Sequence, residues 1–269
     1  MVRHKSTLGG VTTPGTFRPS PEMFDKLYRG EPTFDGVPPP AGIPWDIGQA
    51  QPRLMELEAL GAITGEVLDM GCGLGDNAIF LASRGHSVTG LDASAAAIER
   101  AATRAAQAGV QLTFSVADAT DLTGYDGRFD TVIDSALYHC LDDNGRRSYA
   151  AALHRVTRPG ARLHLFCFSD GNVNGVIAPM GAVPEANIRD TLTANKWRIT
   201  YLGPTTYLAN TSAFAGRADN LPEQMRQQLP PETVEQMRKL AERYAAIVPL
   251  LDGDLVHLPF HVVHAERVD

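Results

Sequence analysis

Five short apolar runs alternate with stretches at helical spacing between residues 66 and 168, and this alternation constrains the fold more than any other feature. Runs of that kind arise when parallel strands are buried on both faces by the helices that connect them. EVLDM (66 to 70) reads as the first strand, and a helix from about Asp76 to Arg84 follows, with Gly85 placed to end it. SVTGLD (87 to 92) is the second, after which Ser94 caps an Ala-rich helix that runs to Ala108 and stops at Gly109. QLTFSVAD (111 to 118) and FDTVIDSAL (129 to 137) supply strands three and four. A helix over 143 to 157 leads to the breaker pair Pro159 and Gly160, and ARLHLFCFS (161 to 169) is the fifth strand. WRITYLGPTTYL (197 to 208) and DLVHLPFHVVHAERV (254 to 268) are rich in β-formers and read as strands six and seven. The fold class predicted is α/β, a doubly wound and mostly parallel sheet.

The rest of the chain is arranged around that sheet. Its 269 residues suit one domain: an arm over 1 to 18, an N-terminal cap over 19 to 58, the core over 59 to 209 and 251 to 269, and a helical insertion over 210 to 250. In the insertion, Val234, Met237, Ala241, Tyr244 and Val248 recur at three-and-four spacing and make one apolar helix face, either a lid or a helix packed on the sheet edge. A net charge of −7 argues against nucleic acid as a partner. Three scattered cysteines, Cys72, Cys140 and Cys167, fit neither a disulfide framework nor a zinc ribbon, so a reducing cytoplasm is expected. No run of 18 apolar residues is present, and no membrane partner is expected. A monomer or a homodimer suits the chain.

The chemistry concentrates where the first strand turns into a helix. Gly71, Gly73 and Gly75 let the backbone bend tightly and approach a ligand. Their spacing is G-x-G-x-G, and Asp76 stands where a dinucleotide fingerprint wants its third glycine, so its charge would oppose a pyrophosphate. A nicotinamide cofactor is thereby disfavoured. Asp69, two residues before Gly71, instead suits a cationic ligand, and S-adenosylmethionine carries both an ammonium and a sulfonium. Asp92 ends strand two, where a carboxylate can accept from both ribose hydroxyls. Asp118, followed by Ala119, closes strand three where an adenine amino group can donate, and Asp134 lies near the end of strand four. These acids converge on the crevice at the C-terminal strand ends. The alternative for each alone is a surface carboxylate or helix cap, a reading that fits Asp118 and Asp134 better than Asp69 and Asp92.

DMGCGLG, LDAS, VADA and FDTVIDSALYH resemble the class I S-adenosylmethionine-dependent methyltransferases over roughly residues 60 to 170. IPWDIGQAQP (43 to 52) resembles a segment of the thiopurine, halide and thiol methyltransferase group, and together with SALYH it is similar to the bacterial heterocyclic toxin methyltransferases. The resemblance implies a Rossmann-like seven-stranded sheet with an antiparallel last strand. It further implies S-adenosylmethionine as cofactor, no metal, and methylation of a small aromatic heterocycle at oxygen or nitrogen. A thiol or halide in the same pocket is the alternative, as is a cofactor-binding protein of this fold with another role. Cofactor contacts implied by position are Trp45, Asp69, Gly71, Cys72, Gly73, Asn77, Asp92, Ala93, Asp118, Ala119 and Asp134. The chain departs from that pattern at Gln49 and Ala50, where the group has Arg and Pro, and in its long insertion.

Trp45 reads either as a wall beside the cofactor or as a core aromatic that docks the cap. Phe24 and Tyr28, four apart in a helix opening at Pro21, face one way and suit either the roof of an aromatic substrate or ordinary packing. His139, five residues past Asp134, is the candidate general base for a hydroxyl acceptor, or a group that only holds the acceptor. Tyr138 and Tyr207 are candidate substrate contacts. His257, His261 and His264 are too scattered for one metal ion: on a strand the first two lie about 13 Å apart and the third faces the other way. The chain lacks the Asn/Asp-Pro-Pro-aromatic motif that resembling nucleic-acid amine methyltransferases carry after strand four, having Asp134, Ser135, Ala136 and Leu137 there. No serine stands in a nucleophile-elbow context, which leaves hydrolysis without support.

Overall fold

The computed structural model describes residues 19–33, 38–39, 41–171, 182–211, 231–251 and 253–269. The predicted arm over 1 to 18 and much of the predicted insertion lie outside them. One seven-stranded sheet organises the rest: β1 (Glu66–Met70), β2 (Ser87–Asp92), β3 (Thr113–Val116), β4 (Phe129–Ser135), β5 (Thr157–Phe168), β6 (Trp197–Asn210) and β7 (Leu255–Arg267). Their spatial order is β3-β2-β1-β4-β5-β7-β6. The first five strands pair in parallel, whereas β7 enters between β5 and β6 antiparallel to both. The α/β sheet and the reversed last strand agree with the sequence reading.

The helices are α1 (Pro21–Arg29), α2 (Pro52–Ala59), α3 (Asp76–Ser83), α4 (Ala95–Ala108), α5 (Asp143–Val156), α6 (Glu185–Ala194) and α7 (Pro231–Ile247). Helix α4 buries Ala96, Ala97, Ala101 and Ala105, a face of small side chains that lets its axis come close to the sheet. Ser94 caps it by accepting from the Ala97 amide, as its sequence position predicts. The main core joins Leu68, Met70 and Val132 of the central strands to Tyr149, Leu153 and Trp197.

Several strand boundaries differ from the sequence reading, β4 for instance ending at Ser135 and not at residue 137. Strand β3 ends at Val116, so Asp118 belongs to the turn beyond it. Strand β5 begins at Thr157 and passes through the breaker pair: Phe129 opposes Thr157 while Thr131 opposes Arg162, so Pro159 and Gly160 sit in an irregularity that leaves them unpaired with β4. Strand β6 continues to Asn210 because β7 pairs with it over its whole length. Helix α2 was not legible, being only eight residues long with no side-chain cap. In the insertion, α7 spans Pro231–Ile247, and Val248 falls past its end in a 3₁₀ turn. The side chains of Met237 and Tyr244 lie outside the described residues.

Candidate active site

The glycine turn is held from below by the strand beside it. The Gly71 and Cys72 amides both donate to the Leu91 carbonyl, at 2.7 and 3.0 Å, and the Gly73 amide donates to Asp92 Oδ2 at 2.9 Å. Gly73 has φ +53°, and a Cβ there would lie 2.9 Å from the Tyr28 hydroxyl and 3.4 Å from Trp45 Nε1. Glycine is therefore required both by the left-handed backbone and by the cap that rests on it. Cys72 is buried between two acids, Asp69 and Asp92, and burial pushes its thiol well above the ordinary range, so it contributes backbone and not thiolate chemistry.

Asp69 and Asp134 end adjacent strands but are offset by one position, so their side chains leave opposite faces of the sheet: Asp69 registers with Ile133 and Met70 with Asp134. Both are buried, and both are pushed up to about 7, mainly by desolvation, with Asp134 and then Asp92 adding repulsion at Asp69. Among the described residues neither oxygen of Asp69 nor Asp134 Oδ2 has a partner of good hydrogen-bond geometry, although the nearby Ala78 amide favours the charged form of Asp69 and the Tyr149 hydroxyl that of Asp134. Asp134 Oδ1 accepts from the Leu137 amide at 2.9 Å and the Tyr138 amide at 3.3 Å. Ala136 makes that return possible with φ +81°, a conformation that costs a non-glycine residue of order 1 kcal/mol and marks the strand end as strained. A buried carboxylate with acceptor positions to spare is what a site for a cationic ligand requires, and Asp69 fits the ammonium of S-adenosylmethionine.

Asp92 is buried and already braces the turn: Oδ2 takes the Gly73 amide and Oδ1 the Ser94 amide at 2.9 Å. A carboxylate has about four acceptor positions, so capacity for a ribose hydroxyl remains beside the Gly73, Ser94 and Ala93 amides. Ala93 beside it is exposed. Asp118 is exposed too and uses Oδ1 on Thr120, while Ala119 joins the main core. Asn77 ties the cap: its Oδ1 accepts from the Gln51 amide at 3.0 Å. Gln51 then pairs both ways with Leu208 of β6, donating from Nε2 at 2.9 Å and accepting at Oε1 at 3.2 Å.

Beyond Asp134 the site is aromatic. His139 packs on Phe168 at 4.1 Å and on Phe260 at 5.8 Å, and Phe260 stacks on Tyr207 at 4.3 Å and an interplanar angle of 10°. The Tyr207 hydroxyl lies 3.0 Å from Ser135 Oγ. The Phe168 amide donates to His139 Nδ1 at 3.3 Å, so the neutral ring carries its proton on Nε2. Phe24 and Tyr28 pack with Leu74, Ala96 and Ala97 over the glycine turn, not with the His139 group. Trp45 touches both groups, and its Nε1 donates to the Tyr28 hydroxyl at 3.1 Å. Tyr138 is a correction: its ring lies in the main core with the Arg146 guanidinium 5.2 Å from its centre, enclosed away from any incoming ring.

The three late histidines have three different partners, Thr206 for His257, Asp170 for His261 and His164 for His264. Among the described residues no group of three or more His, Cys, Asp or Glu is gathered for a metal. Sequence reading missed Gln51, Ser135, Phe168 and Phe260. Phe260 meets Phe168 only because β7 inserts beside β5, a pairing of segments some ninety residues apart that no local pattern records.

Acid-tipped parallel strands around a glycine turn define a nucleoside-binding enzyme domain of the Rossmann type. Comparison with known proteins narrows that class. The methyltransferase domain family matches residues 67–160. The 2-heptyl-1-hydroxyquinolin-4(1H)-one methyltransferase of Mycobacteroides abscessus is 38% identical over 194 residues, 72% of this chain and 84% of that protein. A structure from work on conversion of a disulfide bond into a thioacetal group during echinomycin biosynthesis superposes with a TM-score of 0.68 and 32% identity, covering 92% of each chain. The [4+2]-cyclase SpnF, at 19% identity and a TM-score of 0.58 over 92% of this chain and 94% of its own, shares the fold. The chain belongs to the class I S-adenosylmethionine-dependent methyltransferases. It is an enzyme, and its family implies S-adenosylmethionine as the methyl donor.

Proposed function

We propose that the protein methylates oxygen or nitrogen of a small aromatic heterocycle, using S-adenosylmethionine. The observation that carries this reading is the aromatic wall of His139, Phe168, Phe260 and Tyr207, set past Asp134 and joined to the glycine turn by Trp45. Kinship with a quinolone methyltransferase over most of that protein's length supports it. The cofactor, when bound, supplies an electrophilic methyl on a sulfonium. Asp69 and Asp134 would meet its positive charge, Asp92 its ribose, Asp118 its adenine, and Ala93, Ala119 and Trp45 would enclose it.

The remaining work is orientation and exclusion of water. Holding two reactants in line is worth up to about 7 to 11 kcal/mol in favourable cases, and stacked rings position a flat acceptor with little entropy left to lose. Phe24 and Tyr28 would close the site from the cap side. His139 is proposed as the residue on the acceptor's reacting group. With Nδ1 accepting from the Phe168 amide, a neutral ring would meet an acceptor oxygen as a donor, whereas taking a proton requires Nδ1 to exchange that partner. His139→Ala is expected to lower turnover of a hydroxyl acceptor by about 10²-fold with cofactor affinity unchanged, and His139→Gln to recover much of the loss if donation is the role. Equal turnover in His139→Ala removes the residue from the chemistry.

A sulfur acceptor is the second reading, favoured by the 32% identity to the protein from the disulfide-to-thioacetal study. Product masses from labelled S-adenosylmethionine, screened against 2-heptyl-1-hydroxyquinolin-4(1H)-one, other heterocycles and small thiols, decide between them. Transfer to thiols alone defeats the first reading.

A further inference from the structure

We propose that Arg104 is a positioning residue for cofactor retention, acting through Asp46 to hold Trp45 against the glycine turn. Arg104 stands on α4 and grips two carboxylates from different parts of the chain. Its Nη2 lies 2.8 Å from Asp46 Oδ2, and its Nη1 lies 3.1 Å from Asp46 Oδ1 and 2.9 Å from Asp76 Oδ2. Asp46 follows Trp45 in the cap, and Asp76 is the first residue of α3, immediately past Gly75. One guanidinium therefore ties the cap to the turn it covers.

The same short stretch is fixed on its other side by β6, where the Asn210 amide donates to the Pro44 carbonyl at 2.6 Å. That attachment is neutral backbone, while the Arg104 attachment is charged. Its three side chains keep 28, 22 and 23% of their surface exposed, enough for salt to screen them. Removing the guanidinium leaves two carboxylates facing each other across the place it filled, and their repulsion pushes Trp45 off the turn. Lysine has a single point charge in place of the planar fork and holds both acids less well.

The proposal rests on the reading that the glycine turn holds the cofactor, so its test has a ligand-free arm. Trp45 and Trp197 are the two tryptophans, and Trp197 is 1% exposed, so acrylamide quenching of the fluorescence reports Trp45. Without ligand, quenching is expected to rise in Arg104→Ala and in Asp46→Asn. By calorimetry, Arg104→Ala is expected to weaken S-adenosylhomocysteine binding about tenfold, with Arg104→Lys between it and the wild type. The acceptor KM stays within about twofold. Wild-type affinity falls between about 20 and about 500 mM salt, and the Arg104→Ala affinity does not follow it. Unchanged quenching, an affinity within about twofold of wild type, or the same salt slope in both proteins overturns the proposal. A wild-type protein that fails to bind S-adenosylhomocysteine overturns the cofactor reading itself, and quenching then decides the Arg104 contact alone.

Discussion

Asp69→Asn is expected to make the ligand-free protein more stable at pH 8 than the wild type while abolishing most of the stabilisation that S-adenosylhomocysteine confers. The reasoning is linkage. In the unfolded chain the Asp69 carboxyl titrates near 3.8, and in the folded protein burial and the neighbouring Asp134 hold it at about 7. The folded state therefore binds the proton more tightly than the unfolded state does. Its stability is full below the unfolded value and is lost as pH rises towards 7, a fall of about 2 to 4 kcal/mol for the group. Asp134, also at about 7, adds to the same slope, and the two carboxyls titrate as a pair.

Asparagine occupies the same volume without the charge, so the slope between pH 5 and pH 8 shrinks. On the proposed site, the ligand's ammonium would lose its counter-charge at the same time, and the mass-action gain from a given ligand concentration would collapse. Urea unfolding from pH 5 to pH 8, with and without S-adenosylhomocysteine, reads both effects. A flat wild-type profile, or an Asp69→Asn protein less stable than wild type at pH 8, defeats the assignment of these acids to a cation.

What the sequence disclosed and what it hid divide along a physical line. The glycine turn and the acids at the ends of β1, β2 and β4 were legible because a strand, its turn and its cap are written in consecutive residues. Ser94 and Gly109 bound α4 for the same reason. Side-chain direction was less legible. Tyr138 and His139 are neighbours, yet one enters the main core and the other faces Phe168, because the left-handed Ala136 and the short 3₁₀ turn rotate the chain after β4. Phe24 and Tyr28 share a face as their spacing predicts, but what that face covers depends on where the cap lands. Arg104 carried no signal at all, since its partners at 46 and 76 come together only in three dimensions.

Asp92 is where local pattern and tertiary duty coincide, and its replacement is expected to have two separable consequences. Asp92→Ala removes the acceptor for the buried Gly73 and Ser94 amides, and leaving such donors unpaired costs about 1 to 3 kcal/mol each. The Ser94 end matters beyond its own bond, because Ser94 Oγ donates to Asp25 of α1 at 2.6 Å and so couples the turn to the cap. Loss of charge-assisted bonds to a ribose diol weakens cofactor binding by a further 1.5 to 3 kcal/mol or about 10- to 100-fold. Asp92→Asn separates the two. Its oxygen keeps one of the amides, while its amino group opposes the other and offers the diol one acceptor fewer, so it recovers part of the stability and little of the affinity. Stability measured by urea and affinity measured by calorimetry then move by different amounts along the series from Asp to Asn to Ala. If Asp92→Ala binds S-adenosylhomocysteine as the wild type does, the carboxylate only braces the turn and the ribose is held elsewhere; if its stability is unchanged, the brace is not what the two bonds provide.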